Sequence, residues 1–461
     1  MQTKLNRGLS RRAFLRTSAM MAAGGALAAC IPQGTTAPAT NTDGAAPAAE
    51  NVVVQYWTGW GGDYSGKSWD DIRALPAFQE LMGSNQIEIK VLSGEEALLT
   101  AVAGGTPPEG GSNINYLDYM ARDVLVPVAD WVANSELVRE DAYLPGTWTD
   151  AHYKGTMYGV PTNEGFTRYA LNYNARLVEE AGLDPDAPPQ TWEDCLTWHE
   201  ALTKFDSAGN AIQIGLDPYD AMGGNIKVPD GFFTPLSFGW DWFNEDTGAF
   251  DLANDKMAQS FELLGEFYKV VGPDNMTAFR QVEGQGDWGG SFKSEVQAML
   301  IDGYWHPGET TIQTPEVGKV SRSVWAPVSE ERRGIKVQGS GGHYIILFKG
   351  APQSELMYKI AEFCNRTEVC DIIFNRLGYL PAIKAYLETA DSGRYPGLQF
   401  FFDSAKEADE FTSPARCPIT NYVYQQYVDL REKVYREQMT GADAAAEFQK
   451  RCEDEYKAGG F

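Results

Sequence analysis

The chain has 461 residues, 43% hydrophobic and 12% aromatic, a length and composition that support two or three packed domains and exclude overall disorder. Its 38 basic residues face 63 acidic ones, a net charge of −25. That balance argues against nucleic acid or anionic lipid headgroups as partners, because phosphate contacts need basic patches.

Five of the basic residues (Lys4, Arg7, Arg11, Arg12, Arg16) and no acidic ones lie in the first 29 positions, leaving 33 basic against 63 acidic, a net of −30. Ser10-Arg-Arg-Ala-Phe-Leu-Arg16 precedes an apolar stretch, Thr17 to Ala29, that ends in Leu27-Ala-Ala-Cys30. A charged region, an apolar region and small residues before a cut make a signal peptide over residues 1–29, with an amphipathic first helix as the alternative. The S-R-R-x-F-L pattern resembles twin-arginine export signals, and L-A-A-C resembles a bacterial lipobox. The resemblance implies cleavage before Cys30 and lipidation of its thiol, tethering an exported protein that faces the periplasm or the cell exterior. Residues 30–50 then read as a flexible Ala/Pro/Thr/Gly linker, of about 25 Å r.m.s. reach for a random coil. No later run of about 18 apolar residues reads as a membrane span.

Asn51 to Trp57 is a short apolar run, a buried strand entering the loop Thr58-Gly-Trp-Gly-Gly62. Ile72 to Leu81 has helical spacing, Ile87 to Leu92 alternates like a strand, and Glu95 to Ala103 is helical before the turn Gly104 to Glu109. Strand, helix, strand, helix is the signature of a parallel sheet, whose ligands sit beyond the carboxyl ends of the strands. Trp60 to Tyr64 and Ser112 to Tyr116 fall there. Further on, Ala175 to Glu180 is a helix ended at Gly182, and Thr191 caps a helix from Trp192 to Phe205 with Asp194 completing a capping box. Asp206 to Asn210 and Asn244 to Gly248 are turns between short strands. Helical patterns return over Asp255 to Val271, Met357 to Phe374, Asn421 to Tyr435 and Ala442 to Tyr456.

Apart from Cys30, the cysteines are Cys195, Cys364, Cys370, Cys417 and Cys452, an odd number without a C-x-x-C pair. Buried free thiols are expected, with a Cys417–Cys452 bridge as the alternative. The four histidines (His152, His199, His306, His343) are widely spaced, so neither a metal nor another cofactor is expected.

Four segments in order carry a resemblance. Gly105-Thr-Pro-Pro-Glu109 resembles a G-T-P-P-D turn, with Glu in place of Asp. Tyr153 to Pro161, Leu171 to Asn174, Ala181 to Asp184 and Pro189 to Asp194 resemble the series Y-x-G-x-x-Y-G-x-P, Y-N, A-G-L-D and P-x-T-W-x-E. Ala298-Met-Leu-Ile-Asp-Gly-Tyr-Trp305 resembles A-M-x-x-x-G-x-W, and Gly341-Gly342 precedes a strand, a helix and Leu377-Gly-Tyr-Leu-Pro381. Over residues 51 to about 455 the chain thus resembles the extracellular solute-binding proteins of bacterial ABC importers, carbohydrate-binding family 1, the branch that includes maltose-binding proteins. The resemblance implies an α/β, two-lobed periplasmic-binding-protein-like fold (type II) whose discontinuous lobes are joined by a multi-strand hinge. The expected lobes are 51–162 plus 343–376 and 163–342 plus 377–461. It also implies a monomeric, non-catalytic receptor that closes on a carbohydrate and delivers it to permease subunits with an associated ATPase.

A sugar asks for aromatic faces over its C–H surfaces and for carboxylates or amides on its hydroxyls. Trp60, beside Asp63 and Tyr64, follows a strand among four glycines. Asn113, Asn115 and Tyr116 follow the Pro-Pro-Glu turn. Asn163 and Glu164 lie at the expected hinge, as do Gly342 and His343. In Phe238 to Phe243, alternation puts Trp240 and Trp242 on one face and Asp241 on the other. Trp240, Asp241 and Trp305 are candidates through the resemblance, and Trp288 is a weaker one. Trp131, Trp192, Trp198 and Trp325 read as core. Two other readings stay open: a polyamine, polyol, glycerol-phosphate or metal ligand on the same fold, and a secreted glycosidase, which would need paired carboxyls across a cleft.

Overall fold

The computed structural model describes residues 51–162, 164–221, 233–283, 290–412 and 415–461. The N-terminal address, Cys30, the linker, Asn163 and Trp288 lie outside the described residues. From Asn51 to Phe461 the chain is one compact unit.

Two five-stranded sheets carry the architecture. In chain order their strands are β1 (Val53–Thr58), β2 (Gln86–Val91), β3 (Gly110–Ser112), β4 (Gly159–Pro161) and β5 (Ala170–Asn174). Then follow β6 (Lys204–Phe205), β7 (Ala211–Ala221), β8 (Gln297–Asp302), β9 (Ser321–Val324) and β10 (Tyr344–Leu347). The first sheet runs β2-β1-β3-β10-β4 and the second β9-β5-β8-β7-β6. β1 pairs in parallel with both β2 and β3, as the strand–helix–strand pattern predicts. β10 enters the first sheet antiparallel to β3 and β4 only after the chain has built the second sheet. The backbone therefore passes between the halves just after Pro161 and again just before Tyr344, side by side: Thr162 N–H donates to His343 O at 2.9 Å.

Each sheet has its own core. Val54, Tyr56, Ile72, Phe78, Leu98 and Ile346 pack in the first half. Leu171, Trp192, Leu216, Phe261, Met299 and Tyr427 pack in the second. β8 is buried at every position, as befits a strand covered on both faces. A third cluster, with Tyr304, Trp305, Phe374 and Phe401, sits under the helices Thr367–Leu377 and Leu398–Glu407.

Local chemistry explains most boundaries. The helix Asp255–Val271 starts where the Asn254 side chain accepts from Met257 N–H, and buries Met257, Phe261, Leu264, Tyr268 and Val271 at helical spacing. Thr191 and Asp194 form the predicted capping box, but that helix stops at Leu202; Lys204–Phe205 turn back as β6 against β7 around the Asp206 to Asn210 turn. The pattern over Ile72 to Leu81 is two helices, Trp69–Ala74 and Pro76–Met82, because Leu75 is extended before a proline. Met357 to Phe374 likewise divides into Ser354–Phe363 and Thr367–Leu377.

One side-chain expectation is corrected. Trp325 is not core: it lies one residue past β9, half-buried, edge-on to Phe400 with Lys336 over its ring. The cysteines are as expected: all five from Cys195 onward are free and buried, and the alternative Cys417–Cys452 bridge is not formed. Among the described residues no helix is long and apolar enough to cross a membrane.

Candidate functional site

The ends of β1 and β3 bring the first group together. Gly59 follows β1 so close to the β3 loop that a Cβ would lie 2.3 Å from Asn113 O, so only glycine lets the chain turn into Trp60. The Trp60 ring then packs on Tyr64 with centroids 4.6 Å apart and on the His343 ring at 4.8 Å. Asn113, with φ of 49°, donates its N–H to the Tyr116 hydroxyl at 2.5 Å. That hydroxyl lies 3.2 Å from His343 Nδ1. Tyr116 opens the helix Tyr116–Ala121, and Asn115 before it donates its N–H to Glu95 Oε1 at 2.9 Å.

The passage between the halves supplies the second group. His343 N–H donates to Glu164 O at 3.3 Å and Gly165 N–H to Leu380 O at 3.0 Å, so a third segment joins the crossing at Leu380. Arg376 stays inside its helix and pairs with Asp71. Glu164 is 4% exposed. Its Oε1 accepts from the Tyr304 hydroxyl at 2.7 Å, and its Oε2 lies 3.0 Å from His343 Nε2. Burial works to raise the Glu164 pKa, yet the His343 ring, Arg168 and the Tyr304 hydroxyl hold it below the usual carboxylate value. Arg168 donates to Gly341 O at 3.3 Å, with the same nitrogen 3.4 Å from His343 Nε2.

The third group faces these. The helix Pro145–Asp150 presents Thr147, whose carbonyl accepts from the Tyr344 hydroxyl at 2.8 Å, and Asp150. Arg416 reaches Asp150 from before the helix Thr420–Tyr435: its Nη1 donates to Asp150 O at 3.2 Å and lies 3.7 Å from Oδ1. Its other terminal nitrogen donates to His152 O. Burial pushes the Asp150 carboxyl up to about 7, against the pull of Arg416 and Arg168 and with a push from Glu245.

Five buried polar atoms around Gly341–His343 have no hydrogen-bond partner among the described residues: Thr147 Oγ1, Asp150 Oδ2, Thr162 Oγ1, Arg168 Nε and Glu164 Oε2, the last only facing His343 Nε2 as an ion pair. Their neighbourhood is tight, for a Cβ on Gly342 would lie 2.9 Å from Thr147 Cγ2 and one on Gly341 2.6 Å from Arg168 Nε. Buried polar groups are normally satisfied, so this cluster is set for something with both donors and acceptors. Two carboxylates and two guanidiniums leave it near charge balance.

Of the residues singled out in the sequence, Trp60, Tyr64, Tyr116, Glu164, Gly342 and His343 converge here, and Asn113 joins through Tyr116. Asp63 is exposed and pairs with Lys67 at 3.0 Å. Asn115 is half-buried, and Asn163 is outside the described residues. Trp305 is 4% exposed and packs edge-on to Tyr304 at 5.4 Å, in the third core cluster. Trp240 is half-buried with its indole N–H on Asp251 O, and Asp241 is exposed. Both line a groove of about 270 Å3 with Arg332, Glu410 and Ala415. Tyr304, Arg168, Asp150 and Arg416 were missed. Tyr304 is adjacent to the residue chosen in its motif, whereas Asp150 and Arg416 lie 266 positions apart.

Other candidates resolve as structure. His199 bridges Phe267 O and Leu216 N–H, and burial lowers its pKa to about 4. A surface groove of about 670 Å3 at Trp325 is lined by Asp194 and Arg333, which already bond each other. Among the described residues no group of three or more His, Cys, Asp or Glu is arranged to hold a metal ion.

Comparison with known proteins adds to this geometry. The family model described as bacterial extracellular solute-binding protein matches residues 73–399. No curated protein matches the chain. Among solved structures, CpMnBP1 with mannobiose bound superposes with a TM-score of 0.73 at 18% identity, covering 87% of this chain and 100% of that one. A solute-binding protein from Thermotoga lettingae bound with alpha-D-tagatose gives 0.70 at 18%, covering 87% and 99%. An ABC substrate-binding protein from Listeria monocytogenes in complex with cycloalternan gives 0.70 at 16%, covering 89% and 100%. At these identities the likeness fixes the shared two-lobed α/β fold.

Proposed function

The chain belongs to the bacterial extracellular solute-binding proteins, and from that premise we propose that it captures a carbohydrate between its two halves and delivers it to an ABC permease. The observation that carries the ligand class is the cluster of partnerless buried atoms beside packed rings. Each sugar hydroxyl both donates and accepts, so it matches Asp150 Oδ2 and Arg168 Nε alike, while Thr147 and Thr162 fit either role. The half-buried Tyr116 ring, backed by the buried Trp60 and Tyr64 rings, would offer a face for its C–H surfaces. A polyamine would leave Arg168 Nε unmatched, and a glycerol phosphate would bring its charge against Asp150 and Glu164. The similar structures hold mannobiose, tagatose and cycloalternan, which points the same way.

In this reading the ligand-binding set is Trp60, Tyr64, Asn113, Tyr116, Thr147, Asp150, Thr162, Glu164, Arg168, Gly342 and His343, while Trp240 and Asp241 line a groove of the second half and Trp305 packs in the third core cluster. The lobes are 51–162 plus 343–376 and 163–342 plus 377–461, closing about the shared crossing. The protein is exported, anchored through Cys30 as a monomer, and catalyses nothing. One observation favours a second reading, a glycosidase: Asp150 and Glu164 titrate in opposite directions, as an acid/base pair does. Against it, both Glu164 oxygens are engaged, by Tyr304 and His343.

A thermal-shift screen of the form starting at Asn51, against mono- and oligosaccharides, polyols, polyamines and glycerol phosphates, tests the proposal. Ligand at a hundred times its Kd should add about 2.7 kcal/mol. A sugar hit supports the reading, stabilisation by polyamines or phosphates alone overturns the ligand class, and a sugar converted to product revives the enzyme.

A further inference from the structure

Asp150 and Arg416 belong to different halves. Asp150 is followed by Ala151, part of the first core cluster. Arg416 is flanked by Ala415 and Cys417, both packed in the second. Arg416 is itself held from its own half, since its N–H donates to Glu245 Oε1 at 2.7 Å. Its guanidinium crosses to two main-chain carbonyls of the first half, those of Asp150 and His152. With Asp150 Oδ1 only 3.7 Å from Nη1 and Oδ2 buried without a partner, the carboxylate is incompletely paired. A buried carboxylate with an unmatched oxygen costs free energy that a proton on that oxygen removes.

We propose that Arg416 and Asp150 form a proton-linked latch between the two halves: closing brings the Asp150 carboxyl under the Arg416 guanidinium, out of water, and takes up one proton from solvent on its unpartnered oxygen. The latch rests on the reading that the halves open and close, and not on which solute they hold. The groups that face Asp150 are Arg416 and Arg168, which favour its charged form, Glu245, which disfavours it, and the Tyr344 hydroxyl, whose own pKa the Asp150 charge raises, so that it stays neutral. With the halves meeting as they do in this structure, burial moves its pKa up to about 7. With the halves apart the carboxyl is hydrated and titrates near the ordinary value of about 3.9. The closed form therefore holds the proton more tightly, and acidification favours closure. Between pH 8 and pH 5 the ratio of closed to open molecules should rise roughly ten- to a hundredfold, and rising pH should reverse it.

The test needs no sugar. Spin labels at Glu136→Cys and Glu200→Cys, both exposed and one on each half, report the distance between halves by pulsed electron–electron resonance on the ligand-free Asn51 form. The expected result is a shift of the distance distribution toward the short distance as pH falls from 8 to 5, abolished in Asp150→Asn. Two distances whose proportions ignore pH, or a pH response that Asp150→Asn retains, would overturn the latch while leaving hinge closure standing. One unchanging distance would sink hinge closure as well. If Asp150→Asn does not fold, Arg416→Ala carries the test: fewer closed molecules than the parent at pH 8 supports the latch, and an equal number overturns it.

Discussion

Tyr304→Phe removes one oxygen from the centre of the site and leaves the ring in place. Phe at this position keeps the edge-on contacts with Phe166 at 5.7 Å and Trp305 at 5.4 Å, so no cavity opens. What is lost is the 2.7 Å hydrogen bond to Glu164 Oε1 and the weaker one accepted from Gly165 N–H at 3.3 Å. Glu164 is ionised and buried, and a hydrogen bond to a charged group contributes about 1.5–3 kcal/mol, with the buried oxygen then left without its donor. We expect a loss of about 2–3 kcal/mol at pH 7 in urea unfolding followed by tryptophan fluorescence. The sign with pH follows from the depressed Glu164 pKa. Its contribution is present above the unfolded value of about 4.3 and is lost as pH falls through the folded one. The variant should thus begin to unfold at a higher pH on acidification, and its deficit should shrink where Glu164 is protonated in both proteins. A deficit under about 0.5 kcal/mol at pH 7, with an unmoved acid limb, would refute the claim that Tyr304 adds to His343 and Arg168 in stabilising ionised Glu164.

Gly59→Ala places a methyl 2.3 Å from Asn113 O, so the Trp60 loop must move; we expect a loss of about 1–3 kcal/mol and weaker solute binding, read by unfolding and titration calorimetry. The five thiols from Cys195 onward are buried, and burial raises the pKa of Cys364, Cys370 and Cys417. A thiol reagent at pH 8 should leave the native Asn51 form unlabelled and count five thiols after denaturation; a count of three would mean a bridge.

The regular elements were legible because each carries its own local cause. Asn254 and the apolar spacing behind it mark the helix Asp255–Val271 to the residue, and the turn signals at Asp206 and Asn244 sit where chain reversals occur. The errors are tertiary. Nothing in the spacing of Met357 to Phe374 reveals the break at Asn365, whose side chain is instead used to hold Pro161 O and to accept from Tyr143. Trp325 reads as a strand residue in an apolar run, but β9 is an edge strand that ends just before it.

The candidate site was legible only where strand ends mark it. Trp60, Tyr116 and His343 follow strand ends or precede one, so the rule for ligands at strand termini makes them candidates. Tyr304 stands beside Trp305 in the motif, and nothing in the sequence separates their directions. The turn of chain after β8 sends Tyr304 to Glu164 and Trp305 into the core. Asp150 and Arg416 have no motif at all, and only the fold joins them.

Native mass spectrometry of the Asn51 form, incubated with a mixture of oligosaccharides, polyamines and glycerol phosphates, tests the central claim most directly. The account predicts one sugar bound per chain, recovered unchanged, and lost in Trp60→Ala. A bound polyamine or phosphate, or a shortened sugar, would contradict it.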